Sequence, residues 1–203
     1  MLSENLKKIQ LELLNECTQI GNYRFFTIFD PKERRICATS FKERVLQHAV
    51  MNVCHENFER YQLSFSYASR KGKGVYAAIE KAQDNQRKFS WYLKLDVRKY
   101  FDSIDHQILM NLLIKRFKDK KLLRFFFKLI NSYSVSEGKG LPIGNLSSQY
   151  FANHYLAIAD HYLKEKLKVK ALIRYMDDIV IWDNDKIFLK EVYERLSFFC
   201  FLN

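Results

Sequence analysis

The chain has 203 residues, 48% apolar and 28% charged, with only six Gly and two Pro. That balance excludes a disordered, collagen-like or low-complexity chain, and the length allows one sizeable core. Lys and Arg outnumber Asp and Glu by 34 to 23, and the net charge of +11 is spread along the whole chain, which points to a polyanionic partner, nucleic acid before membrane.

Residues 3–19 are predicted to form a helix, with Ser3 as N-cap and Leu6, Ile9, Leu13 and Leu14 on one face. This segment mixes acids with bases, unlike a signal peptide, and no apolar run nears the roughly 20 residues that span a bilayer. A cytoplasmic protein with no membrane partner is expected. Tyr23 to Asp30 reads as a strand closing in the turn Asp30-Pro31. Residues 42–60 read as a helix through Val45, Leu46, Ala49, Val50 and Val53. A basic glycine loop, Arg70-Lys71-Gly72-Lys73-Gly74, then leads into a helix over 75–88.

Trp91 to Asp96 alternates as a strand does, with Trp91, Leu93 and Leu95 on one face and Tyr92, Lys94 and Asp96 on the other. Asp105 caps a helix whose apolar stripe is Ile108, Leu109, Leu112, Leu113 and Phe117. A further helix covers 119–132, residues 138–144 form a loop, and Ser147 or Ser148 caps a helix reaching about Leu167. Ala171 to Met176 and Ile179 to Trp182 flank Asp177-Asp178, a hairpin with both acids in its turn. Mixed helices and antiparallel strands make the fold class α+β. Cys17, Cys37, Cys54 and Cys200 stand far apart and form no zinc spacing with the five histidines, so reduced thiols are expected.

The acids carry the chemistry. Singly, each has a plain reading: Asp is a common turn residue, and Asp96 can be a cap or a solvated strand end. Jointly, carboxylates at neighbouring strand ends of a basic protein can collect hard divalent cations such as Mg²⁺. Acids packed together without a cation repel one another. Paired cations of that kind activate a 3′-hydroxyl and stabilise leaving pyrophosphate, so the chemistry points to phosphoryl transfer.

Asp96-Val97-Arg-Lys-Tyr-Phe101-Asp-Ser-Ile-Asp, Gly140-Leu-Pro-Ile143-Gly144-Asn-Leu-Ser-Ser148-Gln149 and Tyr175-Met-Asp-Asp178 resemble, in order, the three palm motifs of reverse transcriptases. Upstream, Pro31 to Ile36, Phe41 to Val45 and Ser66 to Gly74 resemble the fingers of the bacterial retroelement branch. The resemblance covers about residues 20–185. It implies the fingers and palm of a right-hand polymerase, the palm an antiparallel, ferredoxin-like sheet flanked by helices. Residues 1–90 would be the N-terminal helix and fingers, 91–118 the first palm segment, 119–145 the fingers–palm connection and 146–203 the remaining palm, truncated before the thumb.

The same resemblance implies roles. Asp96, Asp177 and Asp178 are the catalytic acids. Asp96 and Asp177 bind two Mg²⁺ ions (Mn²⁺ can substitute), the Val97 carbonyl completes one site, and Asp178 is auxiliary. Phe101 is the aromatic gate that rejects a 2′-hydroxyl, although a core aromatic would read the same. Lys32 and Arg34 grip the incoming triphosphate, while Arg44 is as readily a local partner of Glu43 or Asp30. Arg70, Lys71 and Lys73 contact the nucleic-acid backbone, or simply solvate their loop.

Most of the family has Gln-Gly-x-x-x-Ser-Pro where this chain has Ile143-Gly144-Asn-Leu-Ser-Ser148-Gln149. That variant resembles enzymes of diversity-generating retroelements, which copy a template RNA with errors at adenines. The expected function is therefore an RNA-directed DNA polymerase taking an RNA template, a DNA or RNA primer and dNTPs, with a small basic accessory protein as a possible partner. The alternatives are a phage-defence or group II intron-like reverse transcriptase, the latter disfavoured by Ser-Gln, and an inactive, truncated nucleic-acid-binding remnant.

Overall fold

The computed structural model describes residues 2–29 and 32–202. The chain divides into two compact units, residues 1–57 with 101–151 and residues 58–100 with 152–203. Among the described residues no helix is long and apolar enough to cross a membrane.

The first unit begins with α1 (Leu2–Leu14), which ends five residues earlier than its pattern suggests and takes Ser3 inside the helix. Glu16 has φ +57, which stops the helix, and its carboxylate is held by Arg124 at 2.6 Å. β1 (Arg24–Phe29) and β2 (Glu33–Ala38) pair antiparallel, from Arg24 opposite Ala38 to Phe29 opposite Glu33. The expected Asp30-Pro31 turn lies outside the described residues. α2 (Phe41–Glu59) follows, then, later in the chain, α4 (Tyr100–Ser103), α5 (His106–Arg116), α6 (Lys120–Asn131) and the start of α7 (Leu146–His161), which from Ala152 on belongs to the second unit.

Local chemistry explains these starts. Asp105 Oδ1 accepts from the N–H groups of Gln107 and Ile108, capping α5 as expected, and Asp119 Oδ1 accepts from that of Leu122, a cap for α6 that the sequence reading did not assign. Neither Ser147 nor Ser148 caps α7: both lie buried in its first turn, and Ser147 Oγ donates to Gln47 Oε1. α6 carries Phe125, Phe126, Leu129 and Ile130 on its buried side. There Phe126 meets Phe117 and Phe151 edge to face, with centroids 5.3 and 5.2 Å apart.

Glu43 is buried in the first turn of α2, accepting from the Gly21 N–H (3.3 Å) and Gln47 Nε2 (3.2 Å). Arg44 lays its guanidinium over the Phe41 ring, and Asp30, one of the two partners its sequence context offers, lies outside the described residues. Desolvation raises the Glu43 pKa above its ordinary 4.5, outweighing the two hydrogen bonds. The folded state then binds more protons than the unfolded state between the two pKa values. Stability is lost as pH rises through that interval. Glu43→Gln removes this titration, so the variant should gain stability relative to wild type between about pH 4 and pH 7. Urea denaturation at both pH values reads the difference; a pH-independent offset would contradict the assignment.

The second unit is built on a three-stranded antiparallel sheet of order β3-β5-β4. β3 is Trp91–Asp96, β4 Ala171–Tyr175 and β5 Asp178–Asp183. α3 (Val75–Lys88) packs against β4, where Ala78 and Tyr67 form a core with Ala171, Ile173 and Trp182. α8 (Lys186–Leu202), with Leu189, Val192 and Leu196 buried, packs against β3 and β5. α7 does not continue as an α-helix to Leu167. Residues Tyr162–Lys166 form a π-helical turn instead, flanked by His161 stacked on Tyr61 at 4.6 Å. The α+β class is thus realised.

Candidate active site

The sheet gathers the acids. Antiparallel pairing sets Asp96, the last residue of β3, opposite Asp178, the first of β5, and Lys94 opposite Val180. On the other side of β5, Tyr175 of β4 faces Asp178. Opposed residues of an antiparallel pair project to one face, so Lys94, Asp96 and Asp178 share a face. Lys94 Nζ stands 3.5 Å from Asp178 Oδ1, both side chains being more than half exposed. Water screens such a pair, and its contribution stays under about 1 kcal/mol.

Asp177 lies in the turn just before Asp178. The two-residue turn is Met176–Asp177, not Asp177–Asp178, because pairing on both sides draws Asp178 into the ladder. Met176 has φ +57, a left-handed conformation that costs a side-chain-bearing residue about 1–2 kcal/mol.

Below the turn, Arg174 is fully buried and ion-paired to an equally buried Asp160. Its Nε donates to both Asp160 oxygens at 2.8 and 2.9 Å, and Nη2 to Oδ2 at 2.7 Å. Nη2 also donates to Gln62 Oε1 at 3.1 Å. Nη1 donates to Asn153 Oδ1 at 2.9 Å and to the Met176 carbonyl at 3.0 Å. A guanidinium has five N–H donors, and these acceptors occupy all of them. Tyr100, also buried, donates to the Ala152 carbonyl at 2.5 Å. Burial pushes its phenol well above the ordinary value of 10, and Arg174, Asp160 and Asp177 lie close enough to act on it.

The remaining expected residues fall in two groups. In the second unit, Val97 follows Asp96 and is half-buried, and Lys71 is exposed. Arg70 is held by Glu59 (2.8 and 2.5 Å) and by the carbonyls of Leu63 and Ser66. Lys73 donates to the Ser64 carbonyl and lies over the Tyr67 ring at 4.5 Å. Desolvation lowers its pKa. Arg70 and Lys73 thus shape the loop that presents Lys71.

In the first unit, Lys32 and Arg34 are exposed around the start of β2. The Ile143 carbonyl accepts from the Cys37 N–H at 2.8 Å, and Asn145 Nδ2 donates to the Cys37 carbonyl at 3.0 Å. Between them Gly144 has φ +111, and a Cβ there would stand 2.8 Å from Ile36 Cγ2. Phe101 is half-buried, its carbonyl accepting from the Leu141 N–H at 2.8 Å. Gln149 is half-buried, whereas Ser148 is 2% exposed and lies inside the unit.

The donors at the β3 and β5 ends, carboxylates and a backbone carbonyl, are the hard oxygens that Mg²⁺ takes. Among the described residues no three His, Cys, Asp or Glu side chains are drawn together as a ready-made metal cage. Mg²⁺ does not require one: it binds through one or two carboxylates, keeps several waters and shares substrate phosphates. The residues present fit that ion.

The family described as reverse transcriptase (RNA-dependent DNA polymerase) matches residues 28–200. The chain belongs to the reverse transcriptase family. It is 31% identical over 155 residues to the putative COX1/OXI3 intron 2 protein of Saccharomyces cerevisiae, covering 73% of this chain and 17% of that protein. It is 24% identical over 145 residues to the group II intron-encoded protein LtrA of Lactococcus lactis, covering 68% of this chain and 24% of that one. This reverse transcriptase chain therefore spans less than a third of the length of either relative. Its fold resembles that of apo telomerase from Candida tropicalis truncated from its C-terminal domain, with a TM-score of 0.61 at 15% identity over 94% of this chain and 51% of that one.

Sequence reasoning about this reverse transcriptase missed Arg174, Asp160, Asn153 and Gln62. The available signal was a charge where none belongs. Arg174 interrupts the apolar run Ala171-Leu-Ile, and Asp160 closes the apolar run Leu156-Ala-Ile-Ala. A charge within such a run is buried only when it is paired.

Proposed function

We propose that the chain is the polymerising portion of an RNA-directed DNA polymerase that adds dNTPs to a primer 3′-hydroxyl on an RNA template. The observation that carries this reading is the pairing of Asp96 with Asp178 at one sheet end, with Asp177 in the adjoining turn. Asp96, Asp177 and the Val97 carbonyl hold the two Mg²⁺ ions in this reading, and Asp178 is auxiliary. Bound there, such ions lower the pKa of the attacking hydroxyl and neutralise developing charge on pyrophosphate. Lys32 and Arg34 bind the triphosphate, Phe101 screens the sugar, and Ile143 and Gly144 border the nascent base pair. Arg70, Lys71 and Lys73 contact the nucleic-acid backbone in this reading, Arg70 and Lys73 by shaping the loop, and Gln149 is a separate nucleic-acid contact, while buried Ser148 packs inside its own unit. Primer extension on an RNA template with Mg²⁺ and dNTPs tests the reading. Duplex binding without incorporation would replace it by that of a non-catalytic binding remnant.

Within the family we assign the chain to the error-prone, diversity-generating type, on Ile143 and the Ser148-Gln149 pair. An aliphatic side chain at 143 offers no hydrogen bond to a base, so base choice there depends on shape alone. The two relatives, both intron proteins by name, favour a second reading as a group II intron-type enzyme. Ile143→Gln should lower misincorporation opposite template adenine about tenfold, the effect of roughly one added hydrogen bond. Sequencing the cDNA products decides: an unchanged error spectrum removes the diversity-generating assignment. Pull-down of a small basic accessory protein would extend it.

A further inference from the structure

We propose that Arg174 is a positioning residue, a buried strut that fixes the Met176–Asp177 turn and with it the carboxylate of Asp177. The proposal deepens the polymerase reading and rests on it for the catalytic consequence.

Three observations carry it. The turn is internally unfavourable: Met176 holds φ +57 without being glycine. Such a conformation persists only where surrounding structure over-determines it. Secondly, the carbonyl of that same residue accepts a side-chain hydrogen bond from Arg174 Nη1 at 3.0 Å. Thirdly, the guanidinium cannot swing away. Asp160 holds one edge, Asn153 sits beside the Met176 carbonyl on Nη1, and Gln62 fixes Nη2. Gln62 and Asn153 are themselves braced, since Gln62 Nε2 donates to the Asn153 carbonyl at 3.2 Å and Asn153 Nδ2 to the Ala68 carbonyl at 2.9 Å. The Arg174 backbone is clamped as well, its N–H donating to the Phe65 carbonyl and its carbonyl accepting from the Tyr67 N–H, both at 2.9 Å. A planar fork of five donors, held on every side, transmits the rigidity of α7 to the turn.

A buried ion pair could serve the fold alone, so the test separates the two roles. Replacing a buried pair by apolar residues of similar volume commonly leaves a fold intact. Arg174→Met combined with Asp160→Leu, in the full chain, should therefore melt cooperatively yet lose the strut. Amide hydrogen exchange of the segment containing Met176–Asp178 should become at least about tenfold faster. Mn²⁺ affinity, read by electron paramagnetic resonance, should fall about tenfold. The kcat for single-nucleotide incorporation should drop about 10²-fold, the cost of a misplacement near 1 Å. The KM for dNTP should stay within about threefold, because the triphosphate grip is untouched. Arg174→Lys, which keeps the charge beside Asp160 but has only three donors, carries the same readouts should the pair variant fail to fold. A folded variant with wild-type exchange, Mn²⁺ affinity and kcat overturns the proposal. If the wild type neither binds Mn²⁺ nor extends a primer, the polymerase reading fails, while the exchange comparison still decides the strut.

Discussion

Asp177→Asn is expected to lower primer extension by about 10³-fold or more, because under the proposed polymerase reading the change removes a metal-binding charge worth several kcal/mol in the transition state. Asparagine has nearly the same volume, so the fold should be kept, which a melting curve checks. Asp178→Asn should cost far less, about tenfold, since its carboxylate is already shared with Lys94 and stands in the ladder rather than the turn. Asp183→Asn, at the far end of the same strand, is the control and should leave turnover unchanged. Single-turnover incorporation with Mg²⁺ measures all three. An Asp177→Asn chain within tenfold of wild type would remove Asp177 from the chemistry.

Gly144→Ala is expected to destabilise the chain by about 3 kcal/mol. Two costs combine: backbone strain of about 1–3 kcal/mol at φ +111, and a clash of similar size as the new Cβ meets Ile36 Cγ2 at 2.8 Å. The loop cannot simply retreat, because Cys37 is tied to both Ile143 and Asn145. Gly72 supplies the contrast, with φ +70 but nothing within 4 Å of where a Cβ would stand. Gly72→Ala should therefore cost only the backbone part, about 1 kcal/mol. Urea denaturation of both variants measures the gap. Equal losses would mean that the close approach to Ile36 carries no energy.

How much was legible depended on how local each cause is. α3 and β3 lie where the pattern puts them, since a glycine loop and strict alternation fix both. α5 begins after Asp105 because its cap is a contact between near neighbours. β2 was not legible: Glu-Arg-Arg-Ile-Cys-Ala shows no alternation and becomes a strand only by pairing with β1. α1 stops early at the left-handed Glu16, whose carboxylate is held by Arg124, 108 residues away, a contact no local window contains. The serine caps proposed for α7 failed because both hydroxyl-bearing residues are enclosed by packing that no short window contains. At the site, the motif identified the acids without geometry. The exact turn was missed because strand register, not turn propensity, recruits Asp178. Arg174 stayed hidden because its partners lie 14, 21 and 112 positions away.

The β1–β2 ribbon has a consequence for handling the protein. Every residue of β1 is exposed, Phe29 to 76%, and among the described residues its sheet has two strands. Unpaired strand edges beside apolar side chains invite another copy to add on. Arg24, Arg34 and Arg35 counter this by mutual repulsion between ribbons. That safeguard weakens as salt screens charge over distances near 10 Å at about 0.1 M. Concentrated stocks should therefore keep best at low ionic strength, with self-association through the ribbon growing as salt is added.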